Sequence, residues 1–278
     1  MDNSKGRYWD KPLSLVDGCT PCSPGCDHCW SAAMTYRFQK EPVGFLTKSR
    51  APRFTGYILT HPSRLDIPLR TRKPTVFAIW NDLFHEDVPD SFRDDAYAVM
   101  HGCDRHTYLI LTKRADNLLR YTQTHFLPGY RGRDHIWHGL TVCNQQEADE
   151  KILDLLKVPG KKWLSIEPML GPISLLRWLP ISSCSPAKAG VTFDAVILGG
   201  ETGPGARPMS PDWVRSVRDQ CQATGVAFYF KQWGIQPAIK DLAGDERPVH
   251  MDVIRGTWNR CIDGKEHNEL PWEESNAL

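Results

Sequence analysis

The sequence predicts an α/β fold, a complete or partial (β/α) TIM-type barrel, and three observations point there. Short apolar runs alternate with segments of helical period along most of the 278 residues. The gaps between consecutive runs are too long for hairpins, so the strands are expected to lie parallel, joined by right-handed crossovers. The runs also end in polar residues, and parallel α/β sheets carry their chemistry at the C-terminal ends of their strands.

Leu13-Ser14-Leu15-Val16 reads as a short first strand. Trp30 to Phe38 has helical character, with Trp30, Met34 and Phe38 on one face at i, i+4, i+8. Thr75 to Trp80 is a nearly continuous apolar run, as expected of a strand covered on both faces. Asp90 is placed to cap a helix whose stripe is Phe92, Ala96, Val99 and Met100. Thr107 to Leu111 is the next strand, with a helix through Leu118 and Leu119. Ile136 to Leu140 follows, and its helix carries Ala148, Ile152, Leu155 and Leu156 up to Pro159-Gly160. Trp163 to Ile166 is a strand, Ile181 to Gly190 a surface loop, and Phe193 to Leu198 a further strand. Ser210 and Pro211 open a helix closed by Gly225, and Ala227 to Phe230 ends the rhythm. Residues 1–240 are expected to form the barrel, with a basic insertion at about 47–74. Residues 241–278 are expected to pack on it as a C-terminal extension.

This length can bury one large core. The chain is 41% hydrophobic and 24% charged with a net charge of +1, values of an ordinary globular protein with no global bias toward membranes or nucleic acid. The first residues show no apolar core or cleavage pattern, and no stretch approaches the roughly 18 apolar residues of a membrane helix. A cytoplasmic setting, without membrane association, is therefore expected. There, clustered thiols signal metal or redox chemistry rather than disulfides.

Four of the nine cysteines, Cys19, Cys22, Cys26 and Cys29, crowd into one stretch. Paired C-x2-C turns of a zinc site are separated by roughly 12–20 residues, whereas here only three intervene. Short gaps instead suit the corners of a 4Fe-4S cluster. By spacing, Cys22-x3-Cys26-x2-Cys29 is the radical-SAM signature, in which three thiolates leave one iron open to chelate S-adenosylmethionine, whose reductive cleavage gives a 5′-deoxyadenosyl radical. Cys103, Cys143, Cys184, Cys221 and Cys261 are isolated and read as small buried hydrophobes.

The polar strand ends, Asn81, Asp82, Lys113, Arg114, Thr141, Asn144, Glu167, Glu201, Lys231 and Gln232, are expected to ring one mouth beside the cysteines. Asp82, Lys113 and Lys231 are the candidate catalytic groups. Asn81, Asp82, Arg114, Thr141, Asn144, Glu167, Gly199, Gly200 and Glu201 are the candidate cofactor-binding residues. Glu167 and Glu201 follow buried apolar runs, where a carboxylate needs a partner such as Lys113, Lys231 or a ligand amine. Gly199 to Gly205 reads as a loop whose backbone approaches a ligand. His85 and Glu86 read as candidate acid–base groups, with His85 otherwise a solvated loop histidine. Cations and aromatics interleave from Thr47 to Pro74, a pattern suited to single-stranded nucleic acid through Lys48, Arg50, Arg53, Arg70, Arg72 and Lys73, or else to a solvated basic loop.

Gly18-Cys19-Thr20 with Ser23-Pro24-Gly25-Cys26 and Cys29 resembles the three-Cys-motif proteins of phages and bacteria, the phage Gp thirty-seven/Gp sixty-eight family. The likeness extends through Asp82–Pro89, Leu111–Arg114, Ser165–Ile173, Gly199–Met209, Phe230–Gly234 and the tail from Ile262 to Pro271. That family is similar to radical-SAM proteins, and its cysteine loop is a stretched version of the one in spore photoproduct lyase. The resemblance implies a cluster on Cys19, Cys26 and Cys29, where Cys22 replaces a usual aliphatic residue. It further implies S-adenosylmethionine as cofactor, an electron donor such as flavodoxin or ferredoxin, a bacterial or phage-infected cytoplasm, and DNA hypermodification or repair. Spacing favours Cys22 as first ligand and resemblance favours Cys19. The expected function is a radical-SAM enzyme of isomerase or lyase type acting on a nucleic acid base or nucleotide-linked group. The alternative is a non-catalytic, cluster- or metal-bearing nucleic-acid-binding protein.

Overall fold

A computed structural model describes residues 6–38, 43–47, 52–180, 192–203, 205–234 and 260–274. Lys48, Arg50, Cys184, the Ile181–Gly190 loop and residues 241–259 lie outside the described residues. The chain divides into two compact units, Trp9–Leu140 with Val158–Lys161, and Met1–Tyr8 with Thr141–Lys157 and Lys162–Leu278.

The first unit is built on parallel strands in the order β1 (Lys11–Pro12), β6 (Val76–Ile79), β7 (Thr107–Thr112) and β8 (Ile136–Thr141). Before β6 the chain forms β2 (Val16–Asp17), α1 (Trp30–Phe38), β3 (Gly44–Leu46), β4 (Pro52–Phe54), β5 (Leu59–Thr60) and α2 (Asp66–Arg70). β2 pairs antiparallel with β5, and β3 with β4. Crossovers α3 (Asp90–Gly102) and α4 (Ala115–His125) return the chain from β6 to β7 and from β7 to β8. β6, β7 and β8 are buried almost throughout, as their unbroken apolar runs require.

The second unit holds α5 (Gln145–Lys157), then β9 (Lys161–Ile166), β10 (Ala195–Gly199) and β11 (Ala227–Gln232), with β10 parallel to both neighbours. The crossover α6 (Pro211–Thr224) lies between β10 and β11, closed by Gly225 at φ 71° as the sequence predicts. A hairpin, β12 (Cys261–Ile262) with β13 (Lys265–Glu266), precedes α7 (Pro271–Glu274). Trp272 is fully buried and donates its ring N–H to the Tyr8 carbonyl at 3.2 Å. Each unit is thus α/β, with parallel strands and helical crossovers compatible with part of a (β/α) barrel.

Three local expectations change. The first sheet strand is Lys11–Pro12 rather than Leu13–Val16. Pro12 carries no N–H, so it is suited to an edge position, and the ladder continues only through Leu13 N–H donating to the Ala78 carbonyl at 2.8 Å. In α1 the buried residues are Ala32 and Thr35, while Trp30, Met34 and Phe38 face outward. In the basic segment Arg64 points inward, donating to the Ser14 carbonyl at 2.6 Å and to Asp17 at 3.4 Å. Arg70 pairs with Asp66, Arg53 donates to the Pro52 carbonyl at 3.1 Å, and Arg72 and Lys73 are exposed.

No helix among the described residues is long and apolar enough to cross a membrane. Cys103, Cys143 and Cys221 are buried as expected, whereas Cys261 is only half-buried.

Two outcomes follow from the packing. A Cβ on Gly200 would stand 2.1 Å from the Trp233 carbonyl oxygen, a backbone atom. G200A is expected to destabilise the protein by about 3 kcal/mol in urea unfolding, the upper range for overpacking. His106 is fully buried, its Nε2 donates to the Pro68 carbonyl at 3.0 Å, and its Nδ1 has no partner among the described residues. Burial, with Arg105 and Lys11 nearby, holds its pKa below the usual 6.5. Its neutral form thus supports the fold fully above that value, and stability is lost as pH falls below it while the unfolded chain takes up the proton. Urea midpoints should drop from pH 7 to pH 5, less steeply in H106Q.

Candidate functional site

The first unit gathers the cysteine loop and the ends of β6 and β7. Gly18 enters the loop at φ 93°, its Cα so close to Tyr57 that a Cβ would lie 1.9 Å from the Tyr57 carbonyl oxygen. Ser23 caps a single 3-10 turn, Pro24–Cys26, accepting the Gly25 N–H at 3.1 Å, and α1 begins directly after Cys29. Cys26 interacts with all three others: Cys22 donates its S–H to it, while Cys19 and Cys29 feel its charge.

That hydrogen bond, with Lys113 and the backbone amides of Cys22 and Ser23, lowers the Cys26 pKa to about 5 against the cost of burial. The same bond raises Cys22, the proton being kept where it is shared. Burial pushes Cys19 up to about 12 with the help of the Asp82 charge, and Arg114 opposes both. Burial also raises Cys29, against the amides of Ala32 and Ser31. Sulfur atoms met by backbone N–H groups and flanking cations are what a thiolate-bound cluster requires of its ligands. The donor set fits such a group, although no group of three His, Cys, Asp or Glu side chains among the described residues is arranged to hold a single metal ion.

Asn81 and Asp82, which follow β6 after Trp80, both take left-handed backbone conformations, φ 62° and 47°. Neither is glycine, so the turn carries a cost that its contacts must offset. Asn81 accepts a hydrogen bond from Ser31 at the start of α1. Buried Asp82 accepts from Thr112 Oγ1 at 2.5 Å, from the Phe84 amide at 3.3 Å and from Arg114 Nη1 at 2.6 Å. Arg114 spreads its remaining donors over Glu86 (2.6 Å), the Thr20 carbonyl (3.1 Å), Thr20 Oγ1 (2.7 Å) and Cys19 Sγ (3.7 Å). Burial works against its charge, but Asp82 first, with the neighbouring cysteines and the Glu86 hydrogen bond, more than offsets that and raises its pKa.

His85 is fully buried rather than solvated. Its Nδ1 accepts the Asp87 amide at 3.2 Å, so Nε2 carries the hydrogen and donates to Thr20 Oγ1 at 2.8 Å. Arg93, itself buried, donates to the Leu83 and His85 carbonyls at 3.0 and 2.6 Å and fixes the turn that holds both residues. Thr20 and Arg93 are members of this network that sequence reasoning missed, whereas Glu86, expected with His85 as an acid–base group, is held here by Arg114.

The second unit places its strand-end residues in two pairs. Glu167, after β9, receives Lys231 Nζ of β11 at 2.8 Å, Ser165 Oγ at 3.2 Å and the Tyr8 hydroxyl at 3.5 Å. Lys231 Nζ also lies 5.7 Å from the Tyr8 ring centroid. Lys231 is one of the partners expected for Glu167; Tyr8 was not foreseen. Buried Glu201 is held by Arg207 through its amide (2.8 Å), Nε (2.9 Å) and Nη2 (2.6 Å). Arg207, only six positions along the same loop, was missed because expectation looked for a lysine from another strand.

Other residues are engaged within the fold. Asn144 Oδ1 accepts the Glu147 amide at 2.9 Å and caps α5, and Thr141 is buried at the end of β8. A Cβ on Gly199 would touch Glu167 Oε1 at 3.0 Å, so this glycine admits the carboxylate, and Gly200 admits the Trp233–Gly234 backbone. Both glycines allow close approach by parts of the chain itself. R207M removes both guanidinium bonds to the buried Glu201 and is expected to cost about 3 kcal/mol in urea unfolding.

No curated protein and no solved structure matches the chain. A family model described as "Protein of unknown function (DUF5131)" matches residues 3–271, nearly its whole length. The chain belongs to the DUF5131 family.

Proposed function

We propose that the chain is a radical-SAM enzyme of the (β/α)-barrel kind, acting on a nucleic acid base or nucleotide-linked group. The observation that supports this most is the placing of Cys19, Cys22, Cys26 and Cys29 in one short loop, where Cys26 interacts with the other three and backbone amides and cations face sulfur. Cys26, Cys29 and one further cysteine would hold a 4Fe-4S cluster. When bound, that cluster supplies the electron for reductive cleavage of S-adenosylmethionine.

The remaining roles belong to the chain. Arg114, fixed by Asp82 and Glu86, orients Cys19 and keeps positive charge beside the thiolates. This geometry favours Cys19 as the third ligand, in line with the resemblance; Cys22 is the exposed thiol of the four. Lys113 places a second cation near Cys26, suited to a methionyl carboxylate or a substrate phosphate. In the other unit Lys231 and Glu167 form a cation–carboxylate pair suited to the same kind of zwitterionic ligand.

A second reading, a non-catalytic cluster protein in which all four cysteines ligate, is favoured by the direct Cys22–Cys26 hydrogen bond. Anaerobic reconstitution with iron and sulfide decides between them. The enzyme reading expects absorbance near roughly 400 nm and 5′-deoxyadenosine on reduction with S-adenosylmethionine. C19S, C26S and C29S should lose iron and cleavage, while C22S keeps both. Iron lost from C22S as from the other three, with no 5′-deoxyadenosine from the unsubstituted chain, favours the second reading. Absence of a cluster in the unsubstituted chain overturns both.

A further inference from the structure

We propose that the outward face of α1, led by Trp30, is a stacking platform for the bases of a single-stranded nucleic acid. Trp30, Met34 and Phe38 are 51, 46 and 69% exposed, on a helix whose other face packs against β3 and β4. An apolar face of this kind beside a candidate site marks a place where something binds.

The Trp30 ring is held from behind. Trp80 meets it edge-on at 5.5 Å between centroids, and Trp9 meets Trp80 the same way at 4.8 Å. Ser31, one residue on, is tied to Asn81. An indole braced in this way, with half its surface open, offers a rigid flat face at small entropic cost. Tyr57 is also 51% exposed, on the backbone segment against which Gly18 of the cysteine loop packs.

Charge selects the occupant. Among the described residues from Trp30 to Thr60, the charged side chains are Arg37 and Arg53, both cations. Arg37 lies over the Phe38 ring at 5.4 Å, which places a cation at the far end of the stripe. A protein-docking face has no need of this imbalance, whereas a strand of phosphates with bases to stack requires both features. The platform begins at the residue after Cys29, so a stacked base is delivered beside the cysteines. The inference rests on the proposed reading only for that delivery; binding itself does not need the cluster.

The test is fluorescence anisotropy of the full chain with labelled mixed-sequence single strands of about 16 nucleotides, as DNA and as RNA. At least one should bind, with affinity falling as salt rises. W30A should weaken binding roughly tenfold, and W30F should retain most of it. M34E, which adds a carboxylate to an exposed position, should weaken it as well. Circular dichroism and thermal melting report that each variant is folded. Failure of both strands to bind overturns the proposal, as does unchanged affinity in W30A and M34E. So does a self-association in gel filtration that W30A abolishes while oligonucleotide binding persists. Trp30-dependent binding without any reconstituted cluster leaves the platform standing and removes both cluster readings. A working cluster without oligonucleotide binding does the reverse.

Discussion

The contact between Asp82 and Arg114 is the constraint on which the cysteine site depends. The two charges are nearly buried and 2.6 Å apart, a pairing that survives desolvation only when the remaining donors and acceptors are satisfied. Here they are: Asp82 takes a hydroxyl and a backbone amide, and Arg114 takes Glu86, Thr20 and a cysteine sulfur. The left-handed turn at Asn81–Asp82 is maintained by these bonds, since neither residue would choose it alone. Through this one guanidinium the end of β6, the end of β7 and the entry of the cysteine loop become a single rigid body.

Within that body the four thiols are chemically unequal. Cys26 is the acidic one, because a neighbouring thiol donates to it and amides and Lys113 face it. Cys19 is the one under guanidinium control, and Cys22 is the exposed one. Equal residues in a short repeat thus acquire different duties from the groups around them. The second unit repeats the logic of the first: carboxylates at buried strand ends, each answered by a cation. Glu167 draws on Lys231 of a neighbouring element, and Glu201 on Arg207 of its own loop.

Much of the architecture was legible because it follows from local rules. Unbroken apolar runs gave buried strands, and Ser210-Pro211 with Gly225 marked the ends of α6. The rule that a buried carboxylate needs a partner anticipated Lys231 for Glu167. Where expectation failed, long-range packing had the deciding voice. The period of α1 was right, yet Trp30, Met34 and Phe38 form its exposed face, because the smaller Ala32 and Thr35 allow closer approach to what lies beneath. Arg64 belongs to a basic run by sequence and to Asp17 by structure, so part of that run is an internal brace.

By itself, then, the chain specified its α/β alternation, the crowding of four cysteines into one loop and the polar character of its strand ends. These properties reside in periodicity, spacing and residue type, which need no third dimension. Tertiary structure alone decided that Arg114 commands Cys19, that Arg207 claims Glu201, that His85 is buried as the Nε2–H tautomer and that a braced tryptophan faces outward beside the cysteines. Each of those outcomes depends on which side chains meet across elements far apart in sequence, and hydrogen-bond geometry and burial are set only when those elements pack.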